Sequence, residues 1–375
     1  MANTFDVIVI GAGIAGTSVA AELSTDQRVL LLERESQPGY HTTGRSAALF
    51  TVTYGPPVIR ALSRASQDFF NAPSHEYVDH PLLAPRGTLF IAREDQLGQL
   101  THLAEELGDA VTPISAEEAV ARLPLLRPGH IVAALEDTSA ADIEVASLHQ
   151  HYLKFLRANG GEIATKAEVT GLAQSGDSWT VTTPGATYSA ATVVNAAGAW
   201  ADEIASLAGV SPVGLTPKRR TAMIVAPPAG MVPDAWPMVV DADEEFYVKP
   251  DAGKLLMSPA DATPSAPCDA QPEEMDVAIC IDRVTTALDL PVRRIEHKWA
   301  GLRSFLPDGD PLATYDAQAP GFFWLAGQGG YGIQTAPALA RTAAALIRRQ
   351  DVPADIAAHG VNAGALTLSR KDAAA

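Results

Sequence analysis

Three glycines near the N-terminus, Gly11, Gly13 and Gly16 in VIVIGAGIAG, form Gly-x-Gly-x-x-Gly between an apolar strand and a helix. The first allows a tight turn, the second lets the backbone approach a pyrophosphate, and the third lets helix and strand pack closely. The helix N-terminus then faces the negative charge. Glu33 ends the next apolar run, VLLLE, seventeen residues beyond Gly16. A carboxylate there accepts from both ribose hydroxyls and repels a 2′-phosphate, which points to NAD or FAD rather than NADP. A second cluster, Gly327, Gly329, Gly330 and Gly332, stands between the apolar FFWLA and an alanine-rich helix. Reduction of a flavin places negative charge at N1 and the adjacent C2 carbonyl. A helix N-terminus that glycines allow to come close suits that charge, at ~0.3–1 kcal/mol where exposed and more where buried. Two glycine turns serving the two anionic ends of one ligand favour FAD over NAD.

These turns need a scaffold. DVIVI, GTSVAAELS and VLLLE read as strand, helix and strand, a βαβ unit. HTTGRSAALF (His41–Phe50) follows closely enough to pass a ribityl chain and reach a flavin, and VVNAAGAWAD (Val193–Asp202) ends another apolar strand in small residues where a cofactor can pass. WAGLRSFLPDGDP (Trp299–Pro311) and the terminal glycine turn complete the set. A helical pattern spans Val58–Phe70, GTLFIA reads as a strand, and QLGQLTHLAEEL and AEEAVARL read as helices. DIEVASLHQHYLKFLRANGG is an amphipathic helix stopped at Gly160–Gly161. From Lys218 to about Lys298, RTAMIVA, PMVVDA, EFYVKP and KLLMSP make the chain β-rich, and KDAAA reads as a frayed tail. The predicted class is α/β. A Rossmann-like nucleotide-binding domain is expected from 1–80, 145–215 and 300–375, with a β-rich α+β substrate-binding domain inserted as 81–144 and 216–299.

At 375 residues, 47% hydrophobic and 19% charged, the chain is long enough for two domains and a large core. A net charge of −17 with no basic stripe excludes nucleic acid as a partner. The N-terminal apolar run is too short and glycine-broken for a signal peptide, and no run reaches the ~18 apolar residues of a membrane span. No integral membrane segment and a cytoplasmic location are therefore expected. Cys268 and Cys280 lie at no metal-ligand spacing, so free thiols and no metal are expected.

The motifs also occur together. The opening fingerprint, QPGYHTTGRSAA, NAAGAWAD, PKRR, FYVKPDAG, WAGLRSFLPDGD and GQGGYGIQT follow one another over nearly the whole chain. In this the sequence resembles the D-amino-acid oxidase and glycine oxidase superfamily of FAD enzymes, most closely its D-arginine dehydrogenase branch. The resemblance implies a Rossmann-like FAD domain and a substrate domain whose large antiparallel sheet covers the flavin. It also implies oxidative deamination of an amino acid: hydride passes from Cα to flavin N5, and the imino acid hydrolyses to a 2-oxo acid and ammonia. The cofactor-binding positions are then Gly11, Gly13, Ile14, Ala15, Gly16, Glu33, Arg34, Thr42, Thr43, Arg45, Ser46, Ala47, Ala48 and Leu49 in the first segment. Val169, Ala197, Gly198, Gly329, Gly330, Tyr331, Gly332, Ile333 and Gln334 follow. Arg303 matches a bidentate carboxylate anchor and Arg220 a second substrate arginine, while Tyr54 and Tyr247 match pocket tyrosines that reach the carboxylate or amine. The Gly330 carbonyl is placed to receive the substrate amine.

Departures from that branch bear on the substrate. Its acid facing a basic side chain is replaced by Thr88, and its histidine near the flavin by Leu49. Neutral or apolar D-amino acids are therefore expected over D-Arg and D-Lys. An amine is favoured over a 2-hydroxy acid, whose hydroxyl needs a positioned base, because none of the nine histidines falls in the substrate-facing motifs. N-substituted glycines and 2-hydroxy acids remain the alternative substrates. Cys268 and Cys280 are remote from GQGGYG, so the FAD is expected to be noncovalent. Lys249 reads as a sheet-edge lysine rather than an oxygen-activating one. The nearest resemblance favours a dehydrogenase over an oxidase, with an electron acceptor such as a quinone or carrier.

Overall fold

The computed structural model describes residues 3–72 and 75–370, and the KDAAA tail lies outside them. The opening strand Thr4–Ile10 pairs in parallel with Val29–Leu32 on one side and with Thr187–Asn195 on the other. Parallel strands buried on both faces favour unbroken Val, Ile and Leu runs, and residues 7–10 and 29–32 are such runs, fully buried. Glu162–Ala164 extends the sheet beyond Val29–Leu32. Phe322–Ala326 runs parallel to the end of Thr187–Asn195, with Leu312–Tyr315 antiparallel beside it. A hairpin, Gly171–Ser175 and Ser178–Thr182, joins the start of the same long strand. Helices Ile14–Leu23, Pro57–Asn71, Val145–Ala158 and Gly332–Ile347 share one apolar core on this eight-stranded sheet.

The register aligns strand ends. Ile10 lies opposite Leu32 and Asn195, and Asn195 opposite Trp324. The turns at Gly11, Glu33, Ala197 and Gly327 therefore leave the sheet along one edge, the carboxyl end where α/β sheets bind ligands.

A second eight-stranded sheet runs in the order Ile295–Phe305, Thr216–Val225, Lys254–Ser258, Tyr247–Asp251, Met238–Asp241, Thr88–Ala92, Ala133–Asp137, Thr112–Ser115. Neighbours are antiparallel except Met238–Asp241 and Thr88–Ala92, which are parallel. Residue 300, an expected domain boundary, falls inside Ile295–Phe305. Side chains alternate across a strand, so pairing fixes the faces. Leu89, Ile91, Met223, Val239, Val248 and Met257 form an apolar core on one face. Thr88, Arg220, Ala222, Met238, Val240 and Tyr247 are left for the other. A separate three-stranded sheet pairs Ala141–Ile143 with Leu49–Phe50 on one side and Leu83–Pro85 on the other.

Two elements depart from expectation. Glu274–Ala287, within the β-rich stretch, is a helix. Its Val, Ile and Thr content favours a strand, yet Val277, Cys280, Val284 and Ala287 are buried at helical spacing and its first turn is acidic. Lys249, expected at a sheet edge, lies in an interior strand, is 5% exposed and pairs with Asp142 at 2.5 Å. No helix among the described residues is long and apolar enough to cross a membrane.

Candidate active site

A cleft of about 370 Å³ runs between the carboxyl edge of the first sheet and the open face of the second. Gly11 has φ +101°, and a Cβ there would lie 2.5 Å from the Ala196 carbonyl oxygen. Gly16, grouped with the cofactor-binding positions, does not line the cleft but has the packing role expected of the third glycine. A Cβ on it would stand 1.8 Å from the Gly11 oxygen, so its glycine serves the close packing of the turn. Glu33, 7% exposed, accepts from Ala12 N and Glu35 N, each at 2.9 Å. Glu33 lines the cleft, and each oxygen keeps a second lone pair with which it can accept from a ribose hydroxyl. Arg34 lies over the Trp200 ring at 5.0 Å, and Val169, Ala197 and Gly198 line the same end.

The Thr42–Leu49 stretch runs along the cleft wall beside Ile14 and Ala15, and Ile14 N donates to Thr43 Oγ1 at 2.9 Å. Two of its polar side chains are committed to the protein. Thr42 Oγ1 donates to the Leu302 carbonyl at 2.7 Å. The Arg45 guanidinium donates to the carbonyls of Ala270 and Ala300 at 3.0 and 2.9 Å and pairs with Asp269. Ser46, Ala47, Ala48 and Leu49 complete the wall, facing Gly329, Gly330, Gly332, Ile333 and Gln334 across the cleft. Tyr331 does not line it. Its ring packs edge-on against Tyr54, 4.9 Å between centroids, so it buttresses the pocket from behind. The glycine-lined cradle, the buried acid and this second glycine turn fit an FAD.

At the far end Arg220 and Arg303 come from neighbouring strands. Arg220 pairs with Gly301 and Lys218 with Arg303, so the two arginines share a face as diagonal neighbours. Arg219 points to the opposite face and pairs with Asp276 at 2.9 Å and with Glu273. Arg220 Nε donates to the Asp261 carbonyl at 2.7 Å. Among the described residues, no carboxylate lies at ion-pairing distance from Arg220 or Arg303. Burial lowers the Arg220 pKa, and the Arg303 charge lowers it further. Burial also opposes the Arg303 charge, but the Tyr54 and Tyr247 hydroxyls outweigh it, so its pKa moves up. A Cβ on Gly330 would sit 2.9 Å from Arg303 Cζ.

Tyr54, Tyr247 and Thr88 line the same cleft as the two arginines, and so do Thr51, Phe90, Met238, Val240, Glu244 and Phe246. The alternation in GTLFIA and PMVVDA was the available signal for Phe90, Met238 and Val240. Glu244, exposed on a hairpin turn at φ +56°, had no such signal. Thr88 is 3% exposed and its hydroxyl has no hydrogen-bond partner. Thr51 and Thr53 are fixed by the fully buried Asp137, which accepts from their hydroxyls at 2.8 and 3.0 Å. That anchor holds the loop leading to Tyr54.

Comparison with known proteins agrees with this fold. The chain is 22% identical over 369 residues to the glycine oxidase of Geobacillus kaustophilus, covering 95% of this chain and 96% of that protein. The crystal structure of that enzyme superposes with a TM-score of 0.82 over 93% of this chain and 95% of that one. An L-2-hydroxyglutarate dehydrogenase of Escherichia coli is 28% identical over 220 residues, and the match spans 56% of this chain and about half, 51%, of that protein. The FAD-bound L-alpha-glycerophosphate oxidase of Mycoplasma pneumoniae has a TM-score of 0.83 at 21% identity, over 92% of this chain and 95% of that one. Residues 6–346 match the family described as FAD dependent oxidoreductase (DAO). The chain belongs to that family, and FAD is its cofactor.

Proposed function

We propose that the protein is a D-amino-acid dehydrogenase that deaminates neutral or apolar D-amino acids oxidatively. The observation that carries this reading is the pair Arg220 and Arg303, set on one face without a protein carboxylate and opening on the FAD cleft. Two half-buried guanidinium groups lacking a counter-ion are matched to a substrate carboxylate, and a bidentate grip fixes the Cα–H direction. The Tyr54 and Tyr247 hydroxyls take the remaining polar groups, and the Gly330 carbonyl accepts from the amine. Bound FAD, held noncovalently, supplies the acceptor for the hydride leaving Cα. The resulting imino acid then takes up water, giving a 2-oxo acid and ammonia. We assign cofactor binding to the domain on the first sheet, substrate binding to the second, and reoxidation to a quinone or carrier.

An amine suits the site better than an alcohol. An α-ammonium group has a pKa of ~7.7–8 and loses its proton near neutrality, whereas a hydroxyl needs a positioned base. His41 is the one histidine among the described residues lining the cleft, and its Nε2 is 3.0 Å from Glu35 Oε1, at the nucleotide end. The side-chain preference rests on Thr88, Leu49, Phe90, Met238 and Val240, which offer no charge to a cationic side chain. Glu244 is exposed to water, where an ion pair contributes little. The glycine oxidase match over nearly the full length favours a second reading, oxidation of N-substituted glycines at the same arginines.

An anaerobic screen of D- and L-amino acids, sarcosine and 2-hydroxy acids, following bleaching of the visible flavin band, tests both readings. D-Met, D-Leu and D-Phe should bleach it fastest. A kcat/KM highest for D-Arg would overturn the side-chain preference, and bleaching by sarcosine alone would favour the second reading. Repeating the screen in air with peroxide detection separates oxidase from dehydrogenase.

A further inference from the structure

We propose that His149 is a positioning residue for the cofactor, holding the Ala12–Gly13 peptide so that the glycine loop presents N–H groups, and not a carbonyl, to the pyrophosphate. His149 lies in the helix Val145–Ala158, is 5% exposed and places Nε2 3.0 Å from the Ala12 carbonyl oxygen. An oxygen partner requires the hydrogen on Nε2. The same oxygen accepts from Gly39 N at 3.0 Å, while Ala12 N donates to Glu33 Oε2 at 2.9 Å. Both ends of this residue are thereby tied.

The constraint matters because Gly13 follows. Glycine enters positive φ at little cost, so the Ala12–Gly13 peptide has an accessible flip that would turn the Ala12 oxygen toward the phosphate path. Gly13 sits at φ −73°, ψ −178°, the cap of the helix Ile14–Leu23 whose N-terminus faces the ligand. Flipping would sacrifice both hydrogen bonds to the Ala12 oxygen and leave the buried imidazole without a partner. Gly39 is shaped to admit the ring. It has φ +76°, and a Cβ on it would stand 2.9 Å from His149 Cε1. Gly44 N in turn donates to the Gly39 oxygen at 2.8 Å, which fixes that turn. The chain thus reaches the phosphate loop from a helix more than a hundred residues downstream, and His149 itself does not line the cleft.

The test uses His149→Leu, His149→Gln and Gly39→Ala holoenzymes, stripped of FAD and titrated with it, with the thermal midpoint of each apo-protein as control. The Gln amide nitrogen stands in for Nε2. His149→Leu should weaken FAD binding about tenfold or more, the loss of one buried hydrogen bond and its orienting effect. His149→Gln should stay within about threefold of the parent, a rescue that a packing role alone would not give. Gly39→Ala should weaken binding in the same direction by displacing the ring. Adding His149→Leu to it should weaken binding little further. If His149→Leu fails to fold, the Gly39→Ala and His149→Gln pair carries the comparison. Unchanged FAD affinity in His149→Leu or in Gly39→Ala, or a His149→Gln protein as weak as the Leu variant, would overturn the proposal. FAD titration needs no substrate, so the outcome is independent of the reading of the arginine end.

Discussion

Gly330 and Arg303 constrain each other. With a Cβ 2.9 Å from the guanidinium, any larger residue at 330 must displace the Arg303 side chain. The second glycine cluster thus makes room for the Arg303 guanidinium as well as opening the helix Gly332–Ile347. Arg303→Ala should lower kcat/KM by roughly two to four decades, the loss of two charge-assisted bonds, with FAD content unchanged. Gly330→Val should raise KM in the same direction and retain most of its FAD. Steady-state kinetics beside the flavin-to-protein absorbance ratio checks both. Loss of FAD from Gly330→Val before any change in KM would show that the glycine serves the cofactor first.

Adjacent residues acquire opposite roles from the strand that carries them. Arg219 and Arg220 stand side by side in PKRR, where the resemblance favours Arg220, and alternation along Thr216–Val225 sends Arg219 to Glu273 and Asp276 and Arg220 into the cleft. The same alternation places Thr88 and Asp137 on one face as a directly opposed pair. Asp137 then anchors Thr51 and Thr53, and through them the loop that carries Tyr54. Asp137→Ala should cost about 1.5–3 kcal/mol of stability for the lost bonds to a charged group, and it should raise KM as Tyr54 loosens. Denaturant unfolding and initial-rate kinetics measure the two effects, and a stability loss with KM unchanged would show that the anchor does not reach the site.

FAD lies between two sheets in this reading, with one arginine-bearing face on the far side from the phosphate loop. A ligand that bridges them stabilises both against unfolding. FAD at a hundredfold excess over its Kd should add about 2.7 kcal/mol, so the apo-protein's thermal midpoint should climb with FAD concentration. A midpoint indifferent to FAD would contradict binding across the two sheets.

Much of this was legible in the linear order of residues. Gly11, Gly13, Glu33 and the second glycine cluster sit where an apolar run gives way to a turn, a pattern local in the chain, and they read correctly as turns at strand ends even though their packing partners lie elsewhere. The strands around them read correctly because parallel strands buried on both faces demand unbroken apolar runs. Lys249 and the helix Glu274–Ala287 read wrongly, since burial against a distant sheet outweighed local propensity. Tyr331 behind the cleft, Glu244 at its rim and His149 under the phosphate loop have their places set by contacts across the chain. Which of two adjacent arginines faces the substrate depends on strand register, and register is fixed only when the sheet buries its apolar face.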